Sequence, residues 1–252
     1  MNKILLLLFT YFVTTSFHKP DFKNNSENVI NNNITTENKA VKSDHSNLNS
    51  SEEMYTSLRF DNMNILNEDV FHKAFIGFNN LKKAGKLPEE AHLLTVCDFS
   101  LSSTVKRLWV IDLNEHKILF NSLVAHGKNT GEEFAQNFSN TESFYQSSLG
   151  FYVTESTYNG NNGYSLKLLG MDSGYNDAAL QRAIVMHGAD YVSEDFIKSQ
   201  KRIGRSWGCP AVPRALAEPI IDSIKGKNCL FIYYPDEQYL STSQWLKSEE
   251  II

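Results

Sequence analysis

The sequence is poor in cysteine and has no excess of basic residues. It has 252 residues and three cysteines, and so small and odd a number argues against a dense disulfide framework. Lys and Arg together number 24 against 29 Asp and Glu, which gives a formal net charge of −5. A protein that coats nucleic acid needs a basic surface to bind phosphates, so this function class is excluded. The mean hydropathy of −0.35 likewise excludes a bundle of membrane helices.

The longest apolar run stands at the N-terminus. Lys3 is followed by the apolar residues 4–13 and then by small or polar residues. This order is typical of a secretory signal peptide, and the run is about half as long as the ~20 residues that a membrane-spanning helix needs. We therefore predict a signal over residues 1–17, cleaved near Ser16 or Phe17, and export to the periplasm or cell envelope. An uncleaved anchor or a buried helix is the alternative. There is no cysteine near this site, so a lipoprotein anchor is not indicated.

The segment after the predicted signal is rich in Asn, Ser, Glu and Lys. Residues 18–53 contain only isolated apolar side chains, and such a composition cannot bury enough apolar surface to offset the entropy of ordering the chain. We predict a disordered linker here. Residues 54–252 are long enough for one buried core and are predicted to form a single domain, with its core at about 90–235. No stable membrane span is expected after signal cleavage.

Hydrophobic periodicity predicts a domain that is mainly β with a few helices (α+β). Apolar residues recur at helical spacing over 66–81, after Asn67 as a candidate cap and before Lys82 and Lys83. A second helix is predicted over 214–225 and a short one over 176–182, with a long loop over 126–148. Strands are predicted over 93–99, 105–113, 117–124, 149–158, 164–169, 183–186 and 229–234.

Two short segments contain candidates for catalysis. His187 ends a predicted core strand, which would hold its ring rigidly, and Cys209 follows Gly208 in a turn that a substrate can approach closely. Backbone N–H groups there could stabilise an oxyanion. The N-terminus of the next helix, with Arg205 or Arg202, would favour the thiolate that a nucleophilic cysteine needs. An inert core cysteine and a structural histidine are the alternative interpretation.

These residues also carry a resemblance to a known family. His187-Gly188, followed after a gap by Ser206-x-Gly208-Cys209, resembles the signature of the YkuD-like L,D-transpeptidases. The R-S-W-G-C-P form resembles a branch described as murein L,D-transpeptidase catalytic domain proteins, frequent in Bacteroidetes-like bacteria. The resemblance covers roughly residues 90–235 and implies an L,D-transpeptidase-like β-sandwich or barrel catalytic domain.

This sequence departs from the family pattern in two places close to the cysteine. Trp207 stands where the common motif has histidine, and Ala211 stands where many members have arginine or asparagine. Both departures concern contacts with substrate and leave the predicted nucleophile and base in place.

The resemblance implies that peptidoglycan stem peptides are the substrates. Cys209 would attack a tetrapeptide donor and form a thioester, and His187 would take the thiol proton and later activate an acceptor amine. The Gly188 carbonyl would orient the His187 ring, and the Gly208 and Cys209 N–H groups would form the oxyanion hole. The product would be a 3→3 crosslink or a protein attached to the wall. The family implies no metal and no organic cofactor, and the sequence does not identify a protein partner.

Other residues have two interpretations each. Ser206 either donates a hydrogen bond inside the site or caps the turn. For substrate binding we single out Arg205, Trp207, His126 and Tyr164, whose alternatives are an ion pair, a packing aromatic, a structural histidine and hairpin packing.

Three other functions compete with the transpeptidase. The first is an L,D-carboxypeptidase of the same fold, in which water is the acceptor. The second is a zinc hydrolase using His126, His187, Cys209 and Asp190, although no local ligand spacing supports a metal site. The third is a non-catalytic module that binds the cell wall. The remaining cysteines lie in predicted strands and are expected to be core residues.

Overall fold

The computed structural model of the protein describes residues 50–247. The predicted signal and most of the predicted linker lie outside the described residues. The described part begins in a helix, α1, which covers residues 50–57, so helical structure is present before the predicted domain boundary at residue 54. Within residues 50–247, no helix is both long enough and apolar enough to cross a membrane.

One eight-stranded sheet forms the centre of the domain. Its strands are β1 (Leu93–Asp98), β2 (Leu108–Asp112), β3 (Lys117–Ser122), β4 (Gly150–Gly160), β5 (Gly163–Gly170), β6 (Val185–Ala189), β7 (Ala211–Pro213) and β8 (Cys229–Tyr233). They lie in the order β3-β2-β1-β8-β4-β5-β6-β7. The β1–β8 and β6–β7 pairs are parallel, and the other neighbours are antiparallel.

The two edges of the sheet approach each other. Just after β3, Ala125 forms an antiparallel bridge with Ala211 of β7, so the sheet is nearly closed into a barrel. The mainly β fold with a few helices is therefore confirmed. Its helices after α1 are α2 (Glu68–Lys83), α3 (Glu194–Gln200), α4 (Arg214–Ile224) and α5 (Glu237–Thr242), followed by a 3₁₀ turn, Gln244–Leu246.

Helix α2 forms where its sequence pattern predicts. The Asn67 side chain accepts the Val70 N–H at 3.2 Å and caps the helix. Acidic residues occupy the first turn, and Lys82 and Lys83 occupy the last, which suits the helix dipole. The apolar face, including the buried Phe71, packs against the core.

The predicted helix over residues 176–182 is wrong, because this segment forms successive turns. The Asn176 side chain supplies the reason. It donates to the carbonyls of Leu149 and Phe151, at 2.9 and 3.0 Å, and accepts the Asp172 N–H at 2.8 Å. These bonds tie the segment to β4, and they are of the kind by which asparagine favours turns over helix.

Strand β6 also differs from its prediction. The prediction ends this strand at His187, whereas in the structure β6 continues to Ala189. His187 is therefore paired on both sides, with Ser165 of β5 and Ala211 of β7. Because β7 directly follows the Cys209 turn, this pairing brings the two candidate catalytic segments together.

A buried carboxylate holds the C-terminal helical segment against the sheet. Asp172 is 2% exposed, accepts the Phe151 N–H at 2.7 Å and accepts the Ser243 hydroxyl. The Trp245 indole N–H donates to the Met171 carbonyl at 2.7 Å. Burial raises the pKa of Asp172 to about 6.

Candidate active site

A cavity of about 470 Å³ lies between the two candidate segments. It is lined by Asn161, Asn162, Arg182, Ala183, Ile184, His187, Tyr191, Arg205, Ser206, Trp207 and Cys209. His187 comes from β6, Cys209 from the turn before β7, and the two asparagines from the β4–β5 hairpin tip. A substrate in this cavity can therefore contact both the imidazole and the thiol.

The His187 ring has a defined tautomer. Its Nδ1 lies 3.0 Å from the Gly188 carbonyl oxygen, and because a carbonyl only accepts, Nδ1 carries the proton. The Nε2 atom is then left as a base. Desolvation lowers the pKa of His187, partly opposed by the bond to Gly188. The ring is consequently neutral near pH 7 and able to take a proton.

Cys209 is held as a thiol. Its Sγ accepts the Val185 N–H at 3.5 Å and lies 3.8 Å from the Ala183 carbonyl oxygen. Burial raises the pKa of the Cys209 thiol, although the Val185 N–H and the charge of Arg182 act in the opposite direction. The sulfur therefore needs a base to reach its nucleophilic form.

The turn that carries Cys209 is fixed by two hydrogen bonds within itself and one from Ser147. Ser206 Oγ accepts the Gly208 N–H at 3.0 Å and donates to the Cys209 carbonyl at 2.6 Å. Ser147 Oγ donates to the Gly208 carbonyl at 3.1 Å. Gly208 has φ +124°, and a Cβ there would lie 2.7 Å from the Gln146 carbonyl oxygen, so the position requires glycine. Among residues 50–247, no acceptor contacts the Cys209 N–H.

The sequence matches one family over this whole region. The family described as the L,D-transpeptidase catalytic domain (YkuD_2) matches residues 62–233, which is more than half of the chain. The chain belongs to this L,D-transpeptidase catalytic domain family.

Solved structures of L,D-transpeptidases are only distantly similar. The enzyme from Mycobacterium smegmatis is 12% identical, with 57% of this chain and 59% of that chain covered and a TM-score of 0.35. The one from Mycobacterium tuberculosis H37Rv is 13% identical, with 57% and 58% covered and a TM-score of 0.34. The L,D-transpeptidase (Yku) from Stackebrandtia nassauensis is 12% identical, with 73% and 90% covered and a TM-score of 0.36. The chain thus spans less than two thirds of the two mycobacterial chains, and no curated protein matches it.

In this L,D-transpeptidase domain, the positive charge beside the cysteine comes from a residue that the sequence analysis missed. Arg205 and Arg202, the two expected cations, both pair with Glu132, at 2.7 and 3.0 Å. Arg182 lines the cavity with Arg205 and Cys209, and it is the charge of Arg182 that lowers the pKa of the thiol. Along the chain, β7 lies between Cys209 and the N-terminus of α4.

Arg182 is anchored as well as charged. Its guanidinium donates to the Gln146 carbonyl at 2.6 Å, to the Ser139 carbonyl at 2.8 Å and to the Ser148 hydroxyl. Ala211 stands where, by the resemblance noted above, many members of the family have arginine or asparagine. No sequence pattern marks Arg182, because it belongs to a turn that is remote from the motif along the chain.

Two of the residues singled out for substrate binding do not line the cavity. His126 is buried; its Nδ1 accepts from Arg107 at 2.8 Å, and its Nε2 lies 3.2 Å from the Gly131 carbonyl oxygen. Burial and the Arg107 charge lower the pKa of His126 to about 3. Tyr164 donates its hydroxyl to Asp222 at 2.7 Å. Both residues therefore make structural contacts. Arg205 and Trp207 do line the cavity.

The other two cysteines lie in the core, as predicted. Cys97 on β1 and Cys229 on β8 are fully buried and unpaired. Burial raises the pKa of Cys97 to about 12 and raises that of Cys229 further. Within residues 50–247, Cys209 is the cysteine that lines the cavity, and these two thiols are enclosed by the core.

No metal centre is found in the part of the chain that the structure describes. Within residues 50–247, no group of three or more His, Cys, Asp or Glu side chains could hold a metal ion. Of the residues considered for zinc, His126 binds Arg107, and Asp190 forms an ion pair with Arg214.

Proposed function

We propose that the protein is a cysteine-dependent peptidoglycan L,D-transpeptidase. Cys209 would form a thioester with a donor stem peptide and pass the acyl group to an amine, giving a 3→3 crosslink or a protein attached to the wall. The supporting observation is the shared cavity of Cys209 and His187, in which the Gly188 carbonyl leaves His187 Nε2 free to act as a base. The predicted export signal would deliver the enzyme to the periplasm or cell envelope.

In the acylation step, the Cys209 thiol gives its proton to His187 Nε2 while the sulfur attacks the carbonyl carbon of an L,D peptide bond. The C–N bond then breaks, and the imidazolium returns the proton to the leaving amine. The lowered pKa of His187 suits this role, because the ring starts neutral. The raised pKa of Cys209 makes base assistance necessary.

The oxyanion is assigned to the Cys209 N–H. This donor has no acceptor among residues 50–247, so it is free to bind developing negative charge. The Gly208 N–H, the second expected donor, is already bonded to Ser206 Oγ. Ser206 therefore serves by fixing the turn.

In the second step, an acceptor amine attacks the thioester and His187 takes its proton. The new amide forms, and the thiol is regenerated. If water takes the place of the amine, the same chemistry makes an L,D-carboxypeptidase.

The similarity of the R-S-W-G-C-P form to the murein branch of Bacteroidetes-like bacteria stays a prediction.

A muropeptide assay read by mass spectrometry tests this function. The full chain is incubated with a tetrapeptide donor, with and without an acceptor stem. We expect a crosslinked dimer with the wild type and none with Cys209→Ala. A tripeptide as the sole product would make the protein a carboxypeptidase. No product from either protein would leave a non-catalytic wall-binding module, and equal crosslinking by both proteins would refute Cys209 as the nucleophile.

A further inference from the structure

A basic and aromatic cluster adjoins the catalytic cavity. It consists of Lys128, Tyr145 and Trp207. The two ring centroids lie 5.4 Å apart, and Lys128 Nζ lies 4.2 Å from the Tyr145 centroid and 5.9 Å from the Trp207 centroid. Both distances fall within the range of a cation–π contact. The cluster therefore presents one positive charge beside two aromatic faces.

Trp207 is unusually exposed for a tryptophan. Its exposure is 70%, whereas Trp109 and Trp245 are 1% and 5% exposed. Large aromatic side chains normally bury most of their surface, and exposed ones mark binding sites when they lie beside a cleft. Trp207 directly precedes Gly208 and Cys209, and it lines both the catalytic cavity and a second cavity of about 170 Å³ with Tyr145.

Backbone contacts fix the position of the cluster relative to the nucleophile. The Lys128 N–H donates to the Ser206 carbonyl at 2.8 Å, and the Asn129 N–H donates to the Tyr145 carbonyl at 3.2 Å. Tyr145 has φ +54°, a left-handed conformation that costs energy for a residue with a side chain and persists where its surroundings enforce it. The cluster is consequently preorganised by the same loops that hold the catalytic turn.

The charge of Lys128 is available to a ligand. Arg205 and Arg202, in the adjacent loop, both form ion pairs with Glu132, whose one negative charge offsets one of their two positive charges. Lys128 is exposed, and within residues 50–247 no carboxylate lies at ion-pairing distance from it. Glu142 lines the second cavity but does not pair with Lys128. A ligand that complements the cluster therefore carries a negative charge next to an aliphatic surface.

We propose that Lys128, Tyr145 and Trp207 form a binding subsite for a carboxylate-bearing part of a peptidoglycan stem. The carboxylate pairs with the Lys128 ammonium, and the neighbouring aliphatic chain packs on the Trp207 indole. This inference rests on the proposed function, because it takes the stem peptide as the substrate. The subsite acts on substrate affinity and leaves the proton transfers to His187.

Intrinsic fluorescence can report binding at this subsite without turnover. Trp207 is the exposed tryptophan of the three in the chain, so a ligand on its indole changes the emission. The titration uses the Cys209→Ala protein and a tetrapeptide stem, either with free carboxylates or amidated at one carboxylate at a time. The amidated peptides identify which carboxylate Lys128 recognises.

Lys128→Gln should weaken binding of the free peptide by up to about fivefold, the range of an exposed ion pair. Lys128→Gln should not change the affinity for the peptide amidated at the recognised carboxylate, because the substitution and the amidation remove the same interaction. Lys167→Gln is the matched control, since Lys167 Nζ also lies over a tyrosine, 5.7 Å from the Tyr158 centroid, and is outside the cavity lining. Trp207→Ala should raise KM in the crosslinking assay at least about fivefold with little change in kcat.

Equal affinities of the Lys128→Gln and Lys167→Gln proteins for every peptide would overturn the inference. If the wild type still made crosslinked dimers, the proposed function would stand without this subsite. Failure of the proposed function would look different. If neither a Cys209 thioester nor any product forms, the transpeptidase function is refuted, whatever the fluorescence titration shows.

Discussion

The buried carboxylate of Asp172 should make the stability of the domain depend on pH. Burial raises its pKa from 3.8 to about 6, against the opposing effect of hydrogen bonds from Ser243, Phe151 and Tyr239. The folded protein therefore keeps a proton on Asp172 between about pH 4 and pH 6 that the unfolded chain releases. The stabilising effect of this proton is complete below pH 3.8 and is lost as the pH rises through 6.

The size of this effect follows from the two pKa values. A rise of about two pH units corresponds to about 3 kcal/mol at ~1.36 kcal/mol per unit. Asp172→Asn removes the charge and keeps an oxygen that can accept the Phe151 N–H. We expect the variant to lose this pH dependence. Relative to the wild type, its free energy of unfolding should therefore rise by up to about 3 kcal/mol between pH 4 and pH 7.

Urea unfolding of the full chain at several pH values, followed by tryptophan fluorescence, measures this difference. Asp222→Asn is the control, because Asp222 is an exposed carboxylate whose pKa is lowered by Lys225 and Tyr164. It should show no gain in stability at neutral pH. Parallel stability curves for the wild type and Asp172→Asn from pH 4 to pH 7 would refute the reasoning.

Four further predictions concern the active site. Cys209→Ala should abolish crosslinking and His187→Ala should lower kcat by about 10²–10⁴-fold, both with unchanged thermal unfolding; near-normal turnover by either variant would contradict the mechanism. The acid limb of the kcat/KM profile should have its midpoint below 6.5, because desolvation lowers the pKa of His187; a midpoint above 7 would argue for another base. Arg182→Gln should move the iodoacetamide reactivity of Cys209 to higher pH, because Arg182 lowers the pKa of the thiol, whereas the control Arg202→Gln should not; identical profiles would remove Arg182 from the site. Gly208→Ala should slow Cys209 alkylation and crosslinking, because its Cβ would lie 2.7 Å from a carbonyl oxygen at φ +124°; full activity would show that the turn can relax.

Short-range sequence patterns are sufficient to predict an element when residues adjacent to it in the sequence stabilise it. Asn67 caps α2 by accepting the N–H of Val70, three residues further along the chain. The β4–β5 hairpin turns at Asn161 and Asn162, between the strands predicted over 149–158 and 164–169. The Ser206-x-Gly208-Cys209 turn is local in the same sense, because Ser206 bonds within the motif itself. For these elements the residues that decide the conformation are adjacent in the sequence.

Contacts between residues that are distant in the sequence could not be predicted from sequence patterns. Asn176 turns its segment away from a helix because it bonds to β4, and His126 is removed from the cleft because Arg107 binds it in the core. Neither partner is close in the sequence. The exposure of Trp207 likewise depends on how the neighbouring loops pack.

The sequence by itself determined the mainly β character, the capped helix and the motif that carries His187 and Cys209. Only the tertiary structure decided which charge acts on the thiol, because hydrogen bonds to residues 139, 146 and 148 hold Arg182 at the cavity while Arg205 pairs with Glu132. The physical reason is that hydrophobic periodicity and caps are read over a few residues. The electrostatic environment of a buried group, in contrast, depends on every charge that the fold brings near it.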